Sequence, residues 1–301
     1  MGTPEFAVPS LRRLWESQTL VGVVTQPDLP RGRGQQPAPS AVKLYARQLG
    51  WPVIQPQRLG EPEAMQCLRD WAPDVIVVAA FGQLLKPEVL TLPPHGCVNV
   101  HASLLPRHRG AAPIAAAILA GDADSGITLM RMDLGLDTGA VIARRAEPLR
   151  PDDTALNLSS RLAAVGAELL RETLPAYLAG QITPQPQDAA AATYAPQLKK
   201  SDGHLDFTEP ADQVERRVRA MYPWPGAFAH WKGQPLRIQR AAVVAADGGV
   251  PGTVLDGNHG PRVVCGTGSL LLLEVQPPGK RPMPAADFVR GAGDFIGARL
   301  T

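Results

Sequence analysis

Cysteine, aromatic residues and long apolar runs are all scarce in this sequence. Three of its 301 residues are cysteines (Cys67, Cys97 and Cys265), and none belongs to a Cys-x-x-Cys pair. A disulfide framework and a thiolate zinc site are therefore excluded. No uninterrupted run of about 18 apolar residues occurs, and the start MGTPEFAVPS has no basic stretch before an apolar one. We expect neither membrane insertion nor secretion, and the cytoplasm is the expected compartment.

A strong excess of charge of either sign is also missing. The chain carries 30 basic and 28 acidic residues, a formal net charge of +2. This balance excludes a uniformly basic coat for nucleic acid and a disordered polyelectrolyte. From residue 191 onward, 13 basic residues face 10 acidic ones, so a small positive excess lies in the last third. A chain of 301 residues with 45% hydrophobic residues is expected to form two domains.

Short apolar runs and segments of helical period alternate in the first part of the chain. The runs LVGVVTQ (20–26), DVIVVAAF (74–81) and GCVNVHAS (96–103) are typical of strands, and the segments between them of helices. This alternation predicts a doubly wound α/β domain. The stretch 27–40 is crowded with Pro and Gly, and we expect a long exposed loop there.

The pattern changes after residue 126. GITLMRMD and AVIARRAEPL are two extended runs joined by LGLDTG, and a long amphipathic helix follows, from a cap at Asp153/Thr154 to Gly180. A stretch of Pro, Gln and Ala is then typical of a linker, and closely spaced short β-like runs predict a small barrel or sandwich. We expect a catalytic domain at 1–182, a linker at 183–203 and an OB-like β-barrel at 204–301.

Asn99 and His101 are candidate site residues because they stand two apart at the carboxyl end of a predicted parallel strand, where open α/β sheets place their ligands. The period of two puts both side chains on one face. Together they could donate two hydrogen bonds to one oxyanion. The alternative is a histidine satisfied within the structure beside an Asn that caps a turn.

Asp137, in LGLDTGAV, is the next candidate. Its carboxylate could bond to His101, favour the charged imidazole and relay protons. Two alternatives stay open. An Asx-turn would bond the carboxylate to its own backbone. An aspartic protease would need a second Asp-Thr-Gly-like triplet in another lobe, whereas Asp124-Ser125-Gly126 stands only 13 residues away.

Other motifs carry less. RGRGQQ (31–36) lacks the spacing of a phosphate-binding loop, and no HExxH or similar group indicates a metal site. Trp224, with Trp231 nearby, could stack on a base, but a Trp between prolines is more often a plug in a barrel core.

Several segments, in order, resemble the methionyl-tRNA formyltransferases, a family of folate-dependent formyltransferases. They are GTPEFAVPSL, VVTQPDLPRGRGQ, FGQLL, NVHASLLPRHRGAAPI, GITLMRMDLGLDTG and TYAPQLKKSDG. The resemblance implies a Rossmann-like domain with a parallel-rich sheet that binds 10-formyltetrahydrofolate without a metal. It implies a catalytic trio of Asn99, His101 and Asp137. The folate-binding segment falls on Ser103, Leu104, Leu105 and Pro106.

The same resemblance implies transfer of a formyl group to the α-amino group of methionyl initiator tRNA by a monomer. Arg31 and Arg33, in the basic loop, and Lys199 and Lys200, at the entrance of the second domain, are candidate tRNA contacts, with Arg216, Arg217 and Arg219 on a predicted helix. The alternatives are another enzyme that uses 10-formyltetrahydrofolate, such as a sugar formyltransferase or a formylfolate hydrolase, and a non-catalytic tRNA-binding protein.

The start of the chain departs from the family pattern. Members begin with a strand just before the GTPEF segment, and this sequence begins at the turn itself. The resemblance therefore implies that the sheet lacks one central strand, at a cost of several kcal/mol at roughly 25 cal/mol per Å² of apolar area.

Overall fold

The computed structural model describes residues 1–31, 36–245, 248–257 and 259–301. By its internal contacts the chain divides into two compact units. The N-terminal unit comprises Met1–Pro113, Asp124–Pro148 and Ser159–Ala195, and the C-terminal unit comprises Ile114–Ala123, Leu149–Leu158 and Pro196–Thr301. The domain limits expected from the sequence, at 182/183 and 203/204, stay a prediction.

The elements are as follows. The helices are α1 (Val8–Ser17), α2 (Ala41–Gln48), α3 (Pro62–Trp71), α4 (Pro87–Leu90), α5 (Pro113–Ala120), α6 (Ala155–Leu178), α7 (Ala211–Ala220) and α8 (Ala285–Gly291), with short 3-10 turns at Glu5–Ala7, Ala189–Ala191 and Lys200–Gly203. The strands are β1 (Val23–Val24), β2 (Leu29–Arg31), β3 (Gln36–Ala38), β4 (Val53–Ile54), β5 (Ile76–Val78), β6 (Cys97–His101), β7 (Arg109–Gly110), β8 (Asp124–Arg131), β9 (Val141–Pro148), β10 (Tyr194–Ala195), β11 (Phe228–Trp231), β12 (Gln234–Val244), β13 (Val254–Leu255), β14 (Arg262–Val264), β15 (Ser269–Gln276) and β16 (Met283–Pro284).

The N-terminal unit is an α/β structure, as predicted, but its main sheet is mixed rather than parallel-rich. Its order is β5-β6-β8-β9. β5 and β6 are parallel, whereas β8 is antiparallel to β6 and to β9. β1 and β4 form a separate parallel pair. The pairing of β8 with β9 confirms the two extended runs predicted on either side of LGLDTG.

The two faces of β6 have different roles. Cys97 belongs to a buried cluster that includes Val24, Leu68, Val78 and Phe81. Asn99 and His101 follow on the same face because side chains alternate along a strand. Val98 and Val100 are buried on the opposite face. β6 therefore packs on both sides while its last residues reach the site.

Helix α6 packs at a glycine against the face of the sheet that carries Val98 and Val100. A Cβ added to Gly166 would lie 2.9 Å from Val100 Cγ1 and 3.4 Å from Ile127 Cδ1. The absence of a side chain at Gly166 thus lets the helix lie close to β6 and β8. This contact supports the strand that carries Asn99 and His101.

Residues 1 and 2 lie between β1 and β5. The Gly2 amide donates to the Val24 carbonyl at 3.0 Å, and the Ala79 amide donates to the Met1 carbonyl at 2.9 Å. Beside them is a cavity of about 280 Å³, lined mainly by apolar side chains that include Leu11, Trp71 and Ile76. The main chain at Met1–Gly2 therefore joins the β1–β4 pair to β5.

The Pro- and Gly-rich stretch after β1 is not wholly irregular, contrary to expectation. β2 and β3 form a short antiparallel pair in which Pro30 is opposite Pro37. Antiparallel strands alternate hydrogen-bonded and non-hydrogen-bonded pairs, and two prolines can face each other only in the second kind because neither has an N–H. The pairing thus tolerates residues that usually end a strand.

The C-terminal unit contains a six-stranded antiparallel sheet, with the order β11-β12-β15-β14-β13 and β16 beside β15. A domain of short β-strands was predicted here, and this β structure is confirmed. Within the described residues no pairing joins β11 to β13, so closure into an OB-like barrel stays a prediction.

Trp224 does not plug a core, so that interpretation is wrong. Its side chain is 54% exposed, because it stands in the turn region between α7 and β11. Trp231 occupies the packed position instead, edge-to-face against Phe288 and Phe295. Among the described helices, none is long and apolar enough to cross a membrane.

Enlarging Gly166 should destabilise the N-terminal unit. We expect Gly166→Leu to lower the free energy of unfolding by about 1–3 kcal/mol, because the added side chain would force α6 away from Val100. Ala164→Leu, on the exposed face of the same helix, is the matched control and should change little. Thermal and urea melts of both variants measure the difference; equal stabilities would contradict close packing at Gly166.

Candidate active site

β6 brings Asn99 and His101 to one edge of the sheet, as the sequence predicted. Asn99 is opposite Met130 of β8, and His101 is opposite Thr128. His101 is buried, with 6% of its side chain exposed, whereas Asn99 is half-buried. Asn99 therefore lies in the more accessible part of the site, and His101 lies in the buried part.

Asp137 joins them from the loop between β8 and β9. Its carboxylate accepts a hydrogen bond from the Gly110 amide at 2.8 Å. Asn99 Nδ2 lies 3.4 Å from Asp137 Oδ1, and His101 Nδ1 lies 3.6 Å from Oδ2. The three residues predicted as a catalytic trio are thus in contact around one carboxylate.

The Asx-turn considered for Asp137 belongs to another residue. Asp133 Oδ1 accepts from the Gly135 amide, two residues on, and from the Thr138 hydroxyl. Asp137 has a positive φ of 52°, which is unusual for a residue with a side chain, and its carboxylate bonds 27 residues away in sequence. The loop is therefore shaped by Asp133, and the carboxylate of Asp137 is turned toward β6.

The ring of His101 lies between two acceptors. Its Nε2 lies 3.1 Å from the His108 carbonyl oxygen and its Nδ1 lies 3.6 Å from the Asp137 carboxylate, and the nearer acceptor favours the tautomer with hydrogen on Nε2. Burial lowers the pKa of His101, and the Asp137 carboxylate opposes that shift in part. A neutral ring then leaves the Nδ1 lone pair facing Asp137.

This geometry differs from the pair of donors expected to aim at one oxygen. The N–H of His101 is used by the His108 carbonyl, whereas Asn99 Nδ2 has two hydrogens and bonds Asp137 with one of them. The arrangement can place one amide donor near a reacting oxygen and can accept a proton at the junction of His101 and Asp137.

Internal hydrogen bonds fix the conformation of the segment expected to bind folate. Ser103 is buried, and its hydroxyl donates to the Arg107 carbonyl at 2.6 Å. The Leu105 amide donates to the Thr128 hydroxyl, which itself donates to the Ser103 carbonyl. Leu105 is buried, whereas Leu104 and Pro106 are half-buried. The side chains of Leu104 and Pro106 are therefore the more accessible ones.

Residues 185–195 also contact the site, which sequence reasoning missed. The Thr193 hydroxyl accepts from the His108 amide at 2.8 Å, and Gln187 bonds to the Asp137 loop. Tyr194–Ala195 pairs in parallel with Arg109–Gly110. The motif NVHASLLPRHRGAAPI includes His108, Arg109 and Gly110. The stretch QPQDAAAATYAP, in contrast, has no hydrophobic period that could have indicated these contacts.

The candidate tRNA contacts are placed as follows. Arg31 is the last residue of β2, and Arg33 is outside the described residues. Lys199 and Lys200 are exposed at the 3-10 turn Lys200–Gly203.

The arginines of α7 are engaged with carboxylates. Arg216 pairs with Asp212 at 2.9 Å, Arg217 with Glu209 at 3.2 Å, and Arg219 with Glu215 at 2.7 Å. Their charges are therefore largely compensated locally, and they are weaker candidates for phosphate contacts than the sequence suggested. Within the described part of the chain, no group of three or more His, Cys, Asp or Glu side chains could hold a metal ion.

The buried His101 should make stability depend on pH. Because its pKa is lowered in the folded state, acidification from pH 7 to pH 5 protonates this residue in the unfolded chain first and so favours unfolding. We expect the free energy of unfolding of the parent to fall more over this range than that of His101→Gln. Urea melts at each pH give the values, with His259→Gln, which removes an exposed histidine, as the control. Parallel curves for the parent and His101→Gln would contradict the lowered pKa.

Two family models match this chain. The model described as "Formyl transferase" matches residues 2–174, and the one described as "Formyl transferase, C-terminal domain" matches residues 197–293. The first includes Asn99, His101 and Asp137, and the second includes the antiparallel sheet. The two matches together span most of the sequence.

Relatives and solved structures give the same result. A methionyl-tRNA formyltransferase of Myxococcus xanthus is 52% identical over 97% of this chain and 93% of its own length. One from Roseiflexus sp. is 49% identical over 100% and 94%. The crystal structure of WlaRD, a sugar 3N-formyl transferase, has a TM-score of 0.68 at 17% identity and covers 93% of this chain and 97% of that one, which supports the fold. The family predicted from the sequence is thus confirmed: this chain belongs to the methionyl-tRNA formyltransferases.

Proposed function

We propose that the methionyl-tRNA formyltransferase activity of this chain resides in the cluster of Asn99, His101 and Asp137. The observation that carries this assignment is their convergence: an amide, an imidazole and a carboxylate from β6 and the β8–β9 loop meet within 3.6 Å. The formyl donor is 10-formyltetrahydrofolate, and the acceptor is the α-amino group of methionine esterified to initiator tRNA.

The reaction moves one formyl group and one proton. The amine lone pair attacks the formyl carbon, and the carbonyl electrons move to oxygen. Collapse of the tetrahedral species breaks the bond from carbon to N10 of the folate. The proton lost by the amine is gained by N10, so no oxidant, reductant or water is consumed.

Asn99 is the donor for the developing oxyanion. One hydrogen of its amide nitrogen is directed to Asp137, which orients the group, and the other can meet the formyl oxygen. A fixed donor of this kind stabilises the transition state because it needs no reorientation as charge develops.

His101 and Asp137 handle the proton. The His108 carbonyl holds the Nε2 hydrogen, so the free position is Nδ1, beside the carboxylate. A proton taken from the attacking amine, directly or through one water, is held there and then passed to N10. The transient imidazolium also lies near the oxyanion and adds to its stabilisation.

The folate is proposed to contact the segment from Ser103 to Pro106. Since Ser103 and Leu105 are turned inward, Leu104 and Pro106 are the side chains assigned to the donor. The tRNA is proposed to meet Arg31 and Arg33 in the N-terminal unit. Lys199 and Lys200 are the proposed tRNA contacts of the C-terminal domain. The sheet of this domain is proposed to close into an OB-like barrel.

Replacement of the proton-handling groups should slow chemistry more than binding. We expect His101→Ala and Asp137→Asn to lower kcat by about 100-fold or more, because they remove groups whose interactions strengthen in the transition state. Asp133→Asn is the matched control, since it keeps the oxygen that accepts from Gly135 and Thr138 and changes the same charge in the same loop. Formylation of methionyl initiator tRNA and binding of 10-formyltetrahydrofolate are measured for each variant. Equal losses of folate affinity and kcat would instead indicate a structural role.

Replacement of the arginines in the basic loop should affect only the use of tRNA. We expect Arg31→Ala with Arg33→Ala to raise KM for methionyl-tRNA and to reduce the slope of log KM against log salt, by about 0.7–0.9 per lost phosphate contact. Arg12→Ala with Arg69→Ala, which removes two exposed arginines from helices of the same unit, controls for net charge. Identical salt curves for the parent and the loop variant would reject the loop as a tRNA contact.

A further inference from the structure

Gln187 bonds to both chain segments that flank the Asp137 carboxylate. Its Nε2 donates to the Asp137 carbonyl and to the Gly139 carbonyl, each at 2.8 Å. Its Oε1 accepts from Arg109 Nε at 3.1 Å and from Arg109 Nη2 at 2.8 Å. Four hydrogen bonds thus use the donors and the acceptor of one amide side chain completely.

This side chain is turned inward from an otherwise exposed stretch. Gln187 is half-buried, whereas Gln185, Pro186 and Asp188 are exposed. The main chain of Gln185 pairs with Val141 at 2.7 and 2.8 Å, so the stretch is anchored beside the start of β9. Backbone pairing at Gln185 therefore places Gln187 beside the loop.

The hydrogen bonds of Gln187 stabilise the backbone of the turn that contains Asp137. Asp137 has a φ of 52°, a left-handed conformation that is sterically unfavourable for most residues other than glycine. Gln187 Nε2 binds the carbonyl of that residue and the carbonyl two residues on. The turn that directs the carboxylate toward His101 is thus closed by a side chain 50 residues away.

The oxygen of the Gln187 side chain binds Arg109, which precedes the residue that donates to the Asp137 carboxylate. Arg109 is buried, with 4% of its surface exposed, and its guanidinium binds Gln187 Oε1. The next residue, Gly110, donates its amide to Asp137 Oδ2. Gln187 therefore links the donor strand and the acceptor loop of that hydrogen bond.

We propose that Gln187 is a positioning residue for formyl transfer, which sets the orientation of Asp137 toward His101 and Asn99. The proposal rests on the proton-handling role assigned to Asp137 above. Gln187 itself touches no reacting atom; it acts through the loop backbone. An amide is required here because two carbonyls need donors on one side while a guanidinium needs an acceptor on the other.

The test compares Gln187→Ala and Gln187→Glu with Gln185→Ala. We expect Gln187→Ala to lower kcat by about 10- to 100-fold with little change in KM for 10-formyltetrahydrofolate, since a displacement of about 1 Å at a catalytic group has effects of this size. Gln187→Glu keeps the acceptor for Arg109 but presents a carboxylate to two carbonyls, so it should not restore kcat. Gln185→Ala removes an exposed side chain that bonds to the Thr183 carbonyl, and it should have the parental kcat.

A double-mutant cycle with Asp137→Asn distinguishes positioning from general damage. If Gln187 acts through Asp137, adding Gln187→Ala to Asp137→Asn should lower kcat by less than about threefold further. Multiplicative losses in the double variant would overturn the proposal, as would restoration of kcat by Gln187→Glu. Thermal melts of every variant accompany the rates, and a fall in melting temperature together with parallel losses in kcat and folate affinity would also overturn it.

The same data separate this proposal from the assignment of the site. A slow Asp137→Asn with a parental Gln187→Ala would leave the catalytic cluster standing and reject Gln187. A parental rate in Asp137→Asn would reject the role of Asp137 and, with it, the positioning role of Gln187.

Discussion

The hydrogen bond from the Gly110 amide to the Asp137 carboxylate joins two parts of the chain on which the site depends. It fixes a carboxylate carried by the β8–β9 loop beside the end of β6, where the sheet delivers Asn99 and His101. A carboxylate in a partly buried site is stable when donors satisfy it, and here a main-chain amide does so without a competing titration.

The orientation of His101 follows from the same local chemistry. The His108 carbonyl favours the tautomer with hydrogen on Nε2, and burial lowers the pKa of the ring, which favours its neutral form. The lone pair on Nδ1 is thereby left opposite a carboxylate that cannot donate in its charged form. In the proposed mechanism, this pair of His101 and Asp137 accepts the proton of the attacking amine.

Sequence reasoning could predict the three residues of the proposed catalytic trio because their signals are local. An apolar strand ends in Asn99 and His101 two residues apart, and Asp137 stands in a Gly-flanked turn between two extended runs. The supporting contacts were not accessible in this way. Gln187 reaches Asp137 across 50 residues from a stretch without hydrophobic period, and its inward turn arises from main-chain pairing, which composition does not encode. Trp224 was misjudged for a related reason, since flanking prolines indicate a turn but not which side of it is buried.

Electrostatics in the C-terminal unit illustrate the limit of counting charges. The arginines of α7 made this unit look basic in sequence, yet each bonds to a carboxylate of its own unit. Charge that is already paired gives little attraction for phosphate, which favours the exposed Lys199 and Lys200 over these arginines as the proposed tRNA contacts.

The protonation state of the His101 ring is the most direct test of the proposed proton transfer at His101 and Asp137. Nitrogen-15 NMR of the ring at neutral pH, in protein labelled at histidine and assigned with His101→Gln, reports each nitrogen separately. We expect a protonated Nε2 and an unprotonated Nδ1 in the parent. A ring with hydrogen on Nδ1, or one carrying hydrogen on both nitrogens at neutral pH, would contradict it.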